Sequence, residues 1–179
     1  MDPDAYLCQL AEIFNGISVN TPSLSAIIAI ILAGLLLLAS GFASASEIAF
    51  FSLSPSDLND IEEGNHPSDG KISNLLADSE RLLATILITN NFVNVTIIML
   101  CNFFFMNVFV FHSPLAEFLI LTVILTFLLL LFGEIMPKIY SAQKTLAFCR
   151  FSAPVIYVLR KVFAPISACL LYTSPSPRD

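Results

Sequence analysis

The chain has 179 residues, of which 56% are hydrophobic and only 12% charged, and its mean hydropathy is +0.83. A charged fraction about half that of a soluble domain places the protein in a membrane. The net charge of −6 argues against a nucleic-acid partner, which calls for a basic surface.

Residues 1 to 23 read as a short polar leader outside the membrane, acidic and free of Lys and Arg. This does not resemble the basic start of a cleaved signal peptide, so the apolar run behind it is expected to stay as a span. Asn20, Thr21, Pro22 and Ser23 supply the cap before it. Three runs are long enough to cross about 30 Å of hydrocarbon: residues 24 to 53, 82 to 111 and 115 to 132. The predicted fold class is therefore all-α and integral to the membrane, with three transmembrane helices and further juxtamembrane helices.

The first span changes character midway. Residues 27 to 39 are bulky and apolar, but Ser40, Gly41, Phe42, Ala43, Ser44, Ala45, Ser46 and Glu47 are mostly small or polar. Small residues let helix backbones approach closely in lipid, so this half is expected to face other helices. Ser40, Ser44 and Glu47 share one helix face. The connection, residues 54 to 80, is polar and acidic, with a helix start at Pro55 and apolar positions at helical spacing between 71 and 76. It is predicted to hold two short helices, with His66 as a turn residue rather than a ligand.

The second span carries Asn90, Asn91 and Asn94, three asparagines in five residues. Each can offer a carbonyl oxygen to a cation or hydrogen-bond across helices. The third span ends in Phe132, Gly133, Glu134, Ile135, Met136, Pro137 and Lys138. A carboxylate at membrane depth is a functional-site signal. Pro137 lacks an amide proton and disfavours helix at Met136, so a helix break is expected over residues 133 to 137, freeing carbonyls beside the acid. Residues 139 to 149 resemble a juxtamembrane amphipathic helix. Residues 151 to 171, interrupted by Pro154, Arg160, Lys161 and Pro165, read as interfacial or re-entrant.

Of the eight basic residues, Lys71 and Arg81 flank the connection, and Lys138, Lys144, Arg150, Arg160 and Lys161 follow the third span. The positive-inside rule then puts the N-terminus outside and the connection and C-terminal part in the cytoplasm. Cys8, Cys101, Cys149 and Cys169 have no CxxC spacing and read as small hydrophobes or free thiols. The polar membrane residues are all oxygen donors, which points to Mg²⁺, Ca²⁺, Mn²⁺ or an alkali ion rather than zinc or copper. The same residues read equally well as glue between helices, with Glu47 and Glu134 capping helix ends. No HExxH, GxSxG or pair of intramembrane aspartates occurs, and no GxxxxGK[ST], so neither an intramembrane enzyme nor an ATP-driven pump is expected.

Three stretches, Ser40 to Ala49, Leu82 to Asn94 and Phe132 to Lys138, together resemble the transmembrane domain of the CorC/cyclin M (CNNM) magnesium transporters, also called DUF21 or haemolysin-like proteins. The resemblance covers most of residues 24 to 168. It implies a homodimer of three-helix protomers in the inner (plasma) membrane, exporting Mg²⁺ in exchange for Na⁺. It further implies a largely dehydrated Mg²⁺ held by the Ser40 and Ser44 hydroxyls, the Asn90 side-chain carbonyl with Asn91 as the weaker alternative, the Gly133 backbone carbonyl and the Glu134 carboxylate. Glu47 matches the family's acid and is placed behind these ligands or at a gate, with Asn91, Asn94, Pro137 and Lys138. Similar bacterial proteins carry haemolysin-like or gliding-motility labels, so a scaffold without transport is the competing reading. Family members usually continue into CBS domains that bind adenine nucleotides; none is seen here, so nucleotide is expected as a partner only through such domains. Residues 169 to 179 look like a translated sequencing adapter, the alternative being a genuine Ser/Pro-rich tail.

Overall fold

A computed structural model of the chain describes residues 17–111 and 114–164. Most of the leader, Cys8, Pro165, Cys169 and the adapter-like ending lie outside the described residues. Three helices are long and apolar enough to span a membrane: Leu24–Phe51, Ser79–Val108 and Leu121–Gln143.

The first, α1 (Leu24–Phe51), is capped as expected: the Ala26 amide donates to Ser23 Oγ at 3.3 Å. At 28 residues it is about 42 Å long, ample for the hydrocarbon core. Two short helices follow, α2 (Pro55–Glu62) and α3 (Asp69–Leu76). A capping box starts α2, with Asp57 N donating to Ser54 Oγ and Ser54 N to Asp57 Oδ2. Next comes α4 (Ser79–Val108), whose inward positions Leu82, Ile86, Asn90, Val93, Ile97 and Cys101 recur at three- and four-residue spacing. It packs along α1, and Ser23 Oγ donates to Asn107 Oδ1 at 2.9 Å where the two helices end.

The second span was expected to run to residue 111, but the helix stops at Val108. Strand β2 (Phe109–Phe111) pairs antiparallel with β1 (Ile17–Val19). Phe109 and Phe111 stack on one side of the ribbon at 6.1 Å, as alternate residues of a strand do.

The third span is a chain of segments: α5 (Pro114–Phe118), a π-helical turn (Leu119–Ile124), α6 (Leu125–Leu130), a second π-helical turn (Leu131–Ile135) and α7 (Met136–Gln143). The expected break therefore takes the form of a widened turn. The Met136 amide donates to Leu131 O, five residues back. Proline's ring would crowd the carbonyl four residues before it, here Gly133, and the wider turn relieves that. The apolar helix extends past residue 132 to Gln143. The juxtamembrane helix expected over 139 to 149 is accordingly split. Its first part continues the span, the chain turns at Lys144, and α8 (Thr145–Val162) begins. Cys149, Ser152, Ala153 and Ile156 turn inward from α8, while Phe151, Val155, Val158 and Val162 stay exposed.

Beneath the spans, α2, α3 and α8 close one end of the bundle around Ala49, Ile61, Ile72, Leu75, Cys149 and Ile156. Burial pushes the Cys149 thiol up to about 12, leaving it inert. Asp69, 1% exposed, ties α3 to α8: Arg150 donates to its two oxygens at 2.9 and 3.1 Å. The His66 amide adds a third bond, and His66 itself is a turn residue. The Arg150 guanidinium holds the Asp69 carboxyl below its ordinary 3.8, against the opposing effect of burial. Arg160 makes a parallel tie to Asn74.

Two glycines set how closely α1 meets the third span. A Cβ on Gly41 would stand 3.0 Å from Pro137 Cγ, and one on Gly133 would stand 3.2 Å from Ser40 Oγ. Gly34, on the same helix as Gly41, has nothing within 4 Å.

Gly41→Ala should lower unfolding free energy in detergent by about 1–3 kcal/mol, the cost of overpacking, while Gly34→Ala leaves it unchanged or slightly raised. Asp69→Ala should cost about 2 kcal/mol, typical of hydrogen bonds to a charged group. Arg150→Met should cost more, because it strands a buried carboxylate. Since the folded pKa of Asp69 is lowered, its contribution is complete above 3.8 and is lost as pH falls through the lowered value. Thermal melts taken down to about pH 3 should therefore show an acid limb that Asp69→Ala makes shallower, the remainder coming from groups such as Asp57, whose carboxyl Ser54 also holds below its ordinary value.

Candidate cation site

Between two apolar clusters lies one polar layer. On the strand side are Ala33, Val93, Ile97, Cys101 and Leu129; on the connection side is the core of α2, α3 and α8. The layer is built by Ser40 and Ser44 on α1, Asn90 and Asn94 on α4, and Gly133 and Glu134 in the second π-helical turn. Ser40 and Ser44 are fully buried and Asn90 is 8% exposed. The four-residue spacings of Ser40/Ser44 and Asn90/Asn94 put each pair on one face.

The side chains form a continuous chain of contacts. Ser40 Oγ lies 2.9 Å from Asn90 Oδ1 and 2.6 Å from Asn94 Oδ1, and Ser44 Oγ lies 3.4 Å from Asn90 Oδ1. Asn94 Nδ2 donates to Glu134 Oε1 at 3.1 Å. That bond fixes the amide, since turning it would set its oxygen against a carboxylate oxygen. The Ser40 hydroxyl has one proton and two carbonyl oxygens facing it. Ser44 turns its hydroxyl to Asn90 Oδ1 as well, so hydroxyl, amide and carboxylate oxygens, the ligand types a hard cation takes, gather in one layer. Gly133 is buried against Ser40, and its carbonyl loses its α-helical donor because residue 137 is proline. Among the described residues, no group of three or more His, Cys, Asp and Glu is placed to hold a metal. Any cation here would be bound by hydroxyl, amide, carbonyl and single-carboxylate oxygens.

Six of the residues singled out in the sequence, Ser40, Ser44, Asn90, Asn94, Gly133 and Glu134, come together in this layer. Asn94 does more than the supporting role expected of it, because it bridges Ser40 and Glu134. Asn91 points away and is exposed. Pro137 packs on Gly41. Glu47 and Lys138 meet each other, with Lys138 Nζ 2.9 Å from Glu47 Oε2 and both side chains about one third exposed (34% and 31%). Sequence reasoning missed Gly41 as a contact point and Ser141, whose hydroxyl donates to Ala45 O at 2.7 Å and clamps α7 to α1. The signal for Gly41 was its place in the small-residue stretch; a lone serine at 141 offered none. Two apolar clefts flank the layer, one of about 310 Å³ against Ala33, Leu37, Ile97 and Leu129, the other of about 350 Å³ against Gly41, Phe132, Pro137 and Tyr140. Apart from the Cys101 thiol in the first and the Tyr140 hydroxyl in the second, their walls are apolar side chains.

Residues 30–174 match the family model of the cyclin M transmembrane N-terminal domain (CNNM). A UPF0053 protein of Haemophilus influenzae is 32% identical over 130 residues, which are 73% of this chain and 30% of that protein. The chain thus spans just under a third of the length of the curated relative it matches. With most of its residues inside the matched region and three membrane-length helices, the chain belongs to the cyclin M transmembrane N-terminal domain family, a transporter-type family of membrane domains associated with divalent cations.

Proposed function

We propose that this chain is the ion-conducting module of a Mg²⁺ exporter driven by Na⁺ entry, with Mg²⁺ bound between the three helices. The observation that carries this reading is the Ser40 hydroxyl shared between Asn90 and Asn94 oxygens beside Glu134. Ser40, Ser44, Asn90, Gly133 and Glu134 would supply five oxygens. Mg²⁺ asks for six near-octahedral oxygens and gives up water reluctantly, so a small set with one carboxylate and a displaced backbone carbonyl suits it. Irregular helix at membrane depth is tolerated where it lines a cavity, as the π-helical turn at Gly133 would. The placement of Lys and Arg supports an outside N-terminus and cytoplasmic α2, α3 and α8 in the plasma membrane.

A second copy is proposed to cover the face of α4 that carries Asn91 and Asn102. Both are exposed on the single chain at membrane depth, where unpartnered amides are costly. The scaffold reading draws on the fact that these same hydrogen bonds join helices, each worth about 1 kcal/mol in a membrane.

In proteoliposomes of the purified protein, Glu134→Gln and Asn90→Ala should each cut Mg²⁺ flux at least about tenfold, equivalent to ~1.4 kcal/mol. Asn91→Ala should stay within about twofold, less than ~0.5 kcal/mol. An imposed Na⁺ gradient should accelerate Mg²⁺ efflux. Efflux indifferent to Na⁺ would remove the exchange reading, and normal flux in Glu134→Gln would favour the scaffold.

A further inference from the structure

Charged residues are few in the three spans, and their count does not balance. Setting aside Glu80 and Arg81 in the first turn of α4 and Glu117 in α5 at the far end of the third span, the spanning helices carry Glu47, Glu134 and Lys138: two carboxylates and one ammonium. All three lie on one polar track. Glu47 follows Ser44 by three residues on α1, and Lys138 follows Glu134 by four on the third span, so each sits about one turn nearer the connection end than a residue of the site. Lys138 is on Glu47 at 2.9 Å, while Glu134 is held by Asn94. The ammonium stands on four methylenes and the pair is about one third exposed, so Lys138 is not locked by packing. A Glu four residues before a Lys is also a favourable pairing in a helix, which puts Glu134 within reach of the same side chain.

We infer that Lys138 is a tethered cation that exchanges between Glu47 and Glu134 and so competes with the transported ion for the site's carboxylate. This rests on the cation-site reading above. One ammonium neutralises one of the two carboxylates at a time, and the other is left for the cargo. With Lys138 on Glu47, Glu134 is open to a divalent ion; with Lys138 on Glu134, binding is blocked and Glu47 is released. Glu47 therefore promotes binding by holding the competitor away, although it contributes no ligand.

The two members of this ion pair should act on affinity in opposite directions. Mg²⁺ binding to the detergent-solubilised protein would be measured by titration calorimetry. Lys138→Met and Lys138→Gln should each lower Kd about tenfold, the scale of removing one charge about a turn away at an intermediate dielectric. Glu47→Gln should raise Kd by a similar factor, and Glu47→Gln combined with Lys138→Met should follow the lysine variant. A pair that only braces α1 against α7 would move both variants the same way, or neither. That result, with Glu134→Gln still abolishing binding, overturns the proposal and leaves the site reading intact. Unaltered binding in Glu134→Gln overturns both.

Discussion

The structure depends on how closely α1 and the third span approach each other. At Gly41 and Gly133 one helix presents no side chain, and the Pro137 and Ser40 side chains of the facing helix fill the space a Cβ would take. Helices in lipid gain nothing from hiding apolar surface from one another, so packing contacts and interhelical hydrogen bonds must hold them. The glycines permit those contacts, and Ser141 on Ala45 O secures them on the connection side. The polar layer then follows as a consequence. Ser40 reaches Asn90 and Asn94 on α4, and Asn94 reaches Glu134 on the third span, so one group of side chains touches all three helices. Any movement of one helix along another has to pass through this layer.

Much of this was legible in the chain. Ser40, Ser44, Asn90 and Glu134 stand in apolar runs where polar groups have few uses, and helical spacing alone assigned them faces. The first connection helix announced itself through the start at Pro55, where the cap is local chemistry, and the second through apolar positions at helical spacing between 71 and 76. The strand ribbon was not legible, because Phe109, Val110 and Phe111 are as acceptable at the end of an apolar helix as in a strand; pairing with residues 17 to 19 decides between them. Nor does hydropathy report hydrogen-bond register, so the π-helical turn at Gly133 could be anticipated only as some disturbance near Pro137. The partnership of Glu47 with Lys138 was hidden for a different reason. The residues are 91 positions apart in sequence, and only the packing of α7 on α1 brings them together.

The connection end is built on different physics from the membrane layer. There, charged groups are paired with good geometry: Arg150 reaches both oxygens of Asp69, and Arg160 reaches the side chain and carbonyl of Asn74. These bonds fasten α8 to α3, and the apolar cluster beneath them includes Leu82 and Ile86 of α4 and Ala49 and Phe50 of α1. The short helices are thereby joined to the ends of two spans. A displacement of α8 would be transmitted to α1 and α4 through that shared core rather than absorbed by a slack linker.

The π-helical turn at Leu131–Ile135 has one consequence of its own. A turn of this kind holds one residue too many for an α-helix, and such a surplus can pass along a helix one position at a time, like a ruck moved across a carpet. Each step turns the intervening side chains by about 100°, the angle per residue of an α-helix, while the helix axis keeps its place. Here Pro137 pins the surplus in place, because an α-helical turn over the proline would restore the clash with the Gly133 carbonyl that the wider turn relieves. The register of the turn, as well as its hydrogen bond, therefore keeps Glu134 facing Asn94.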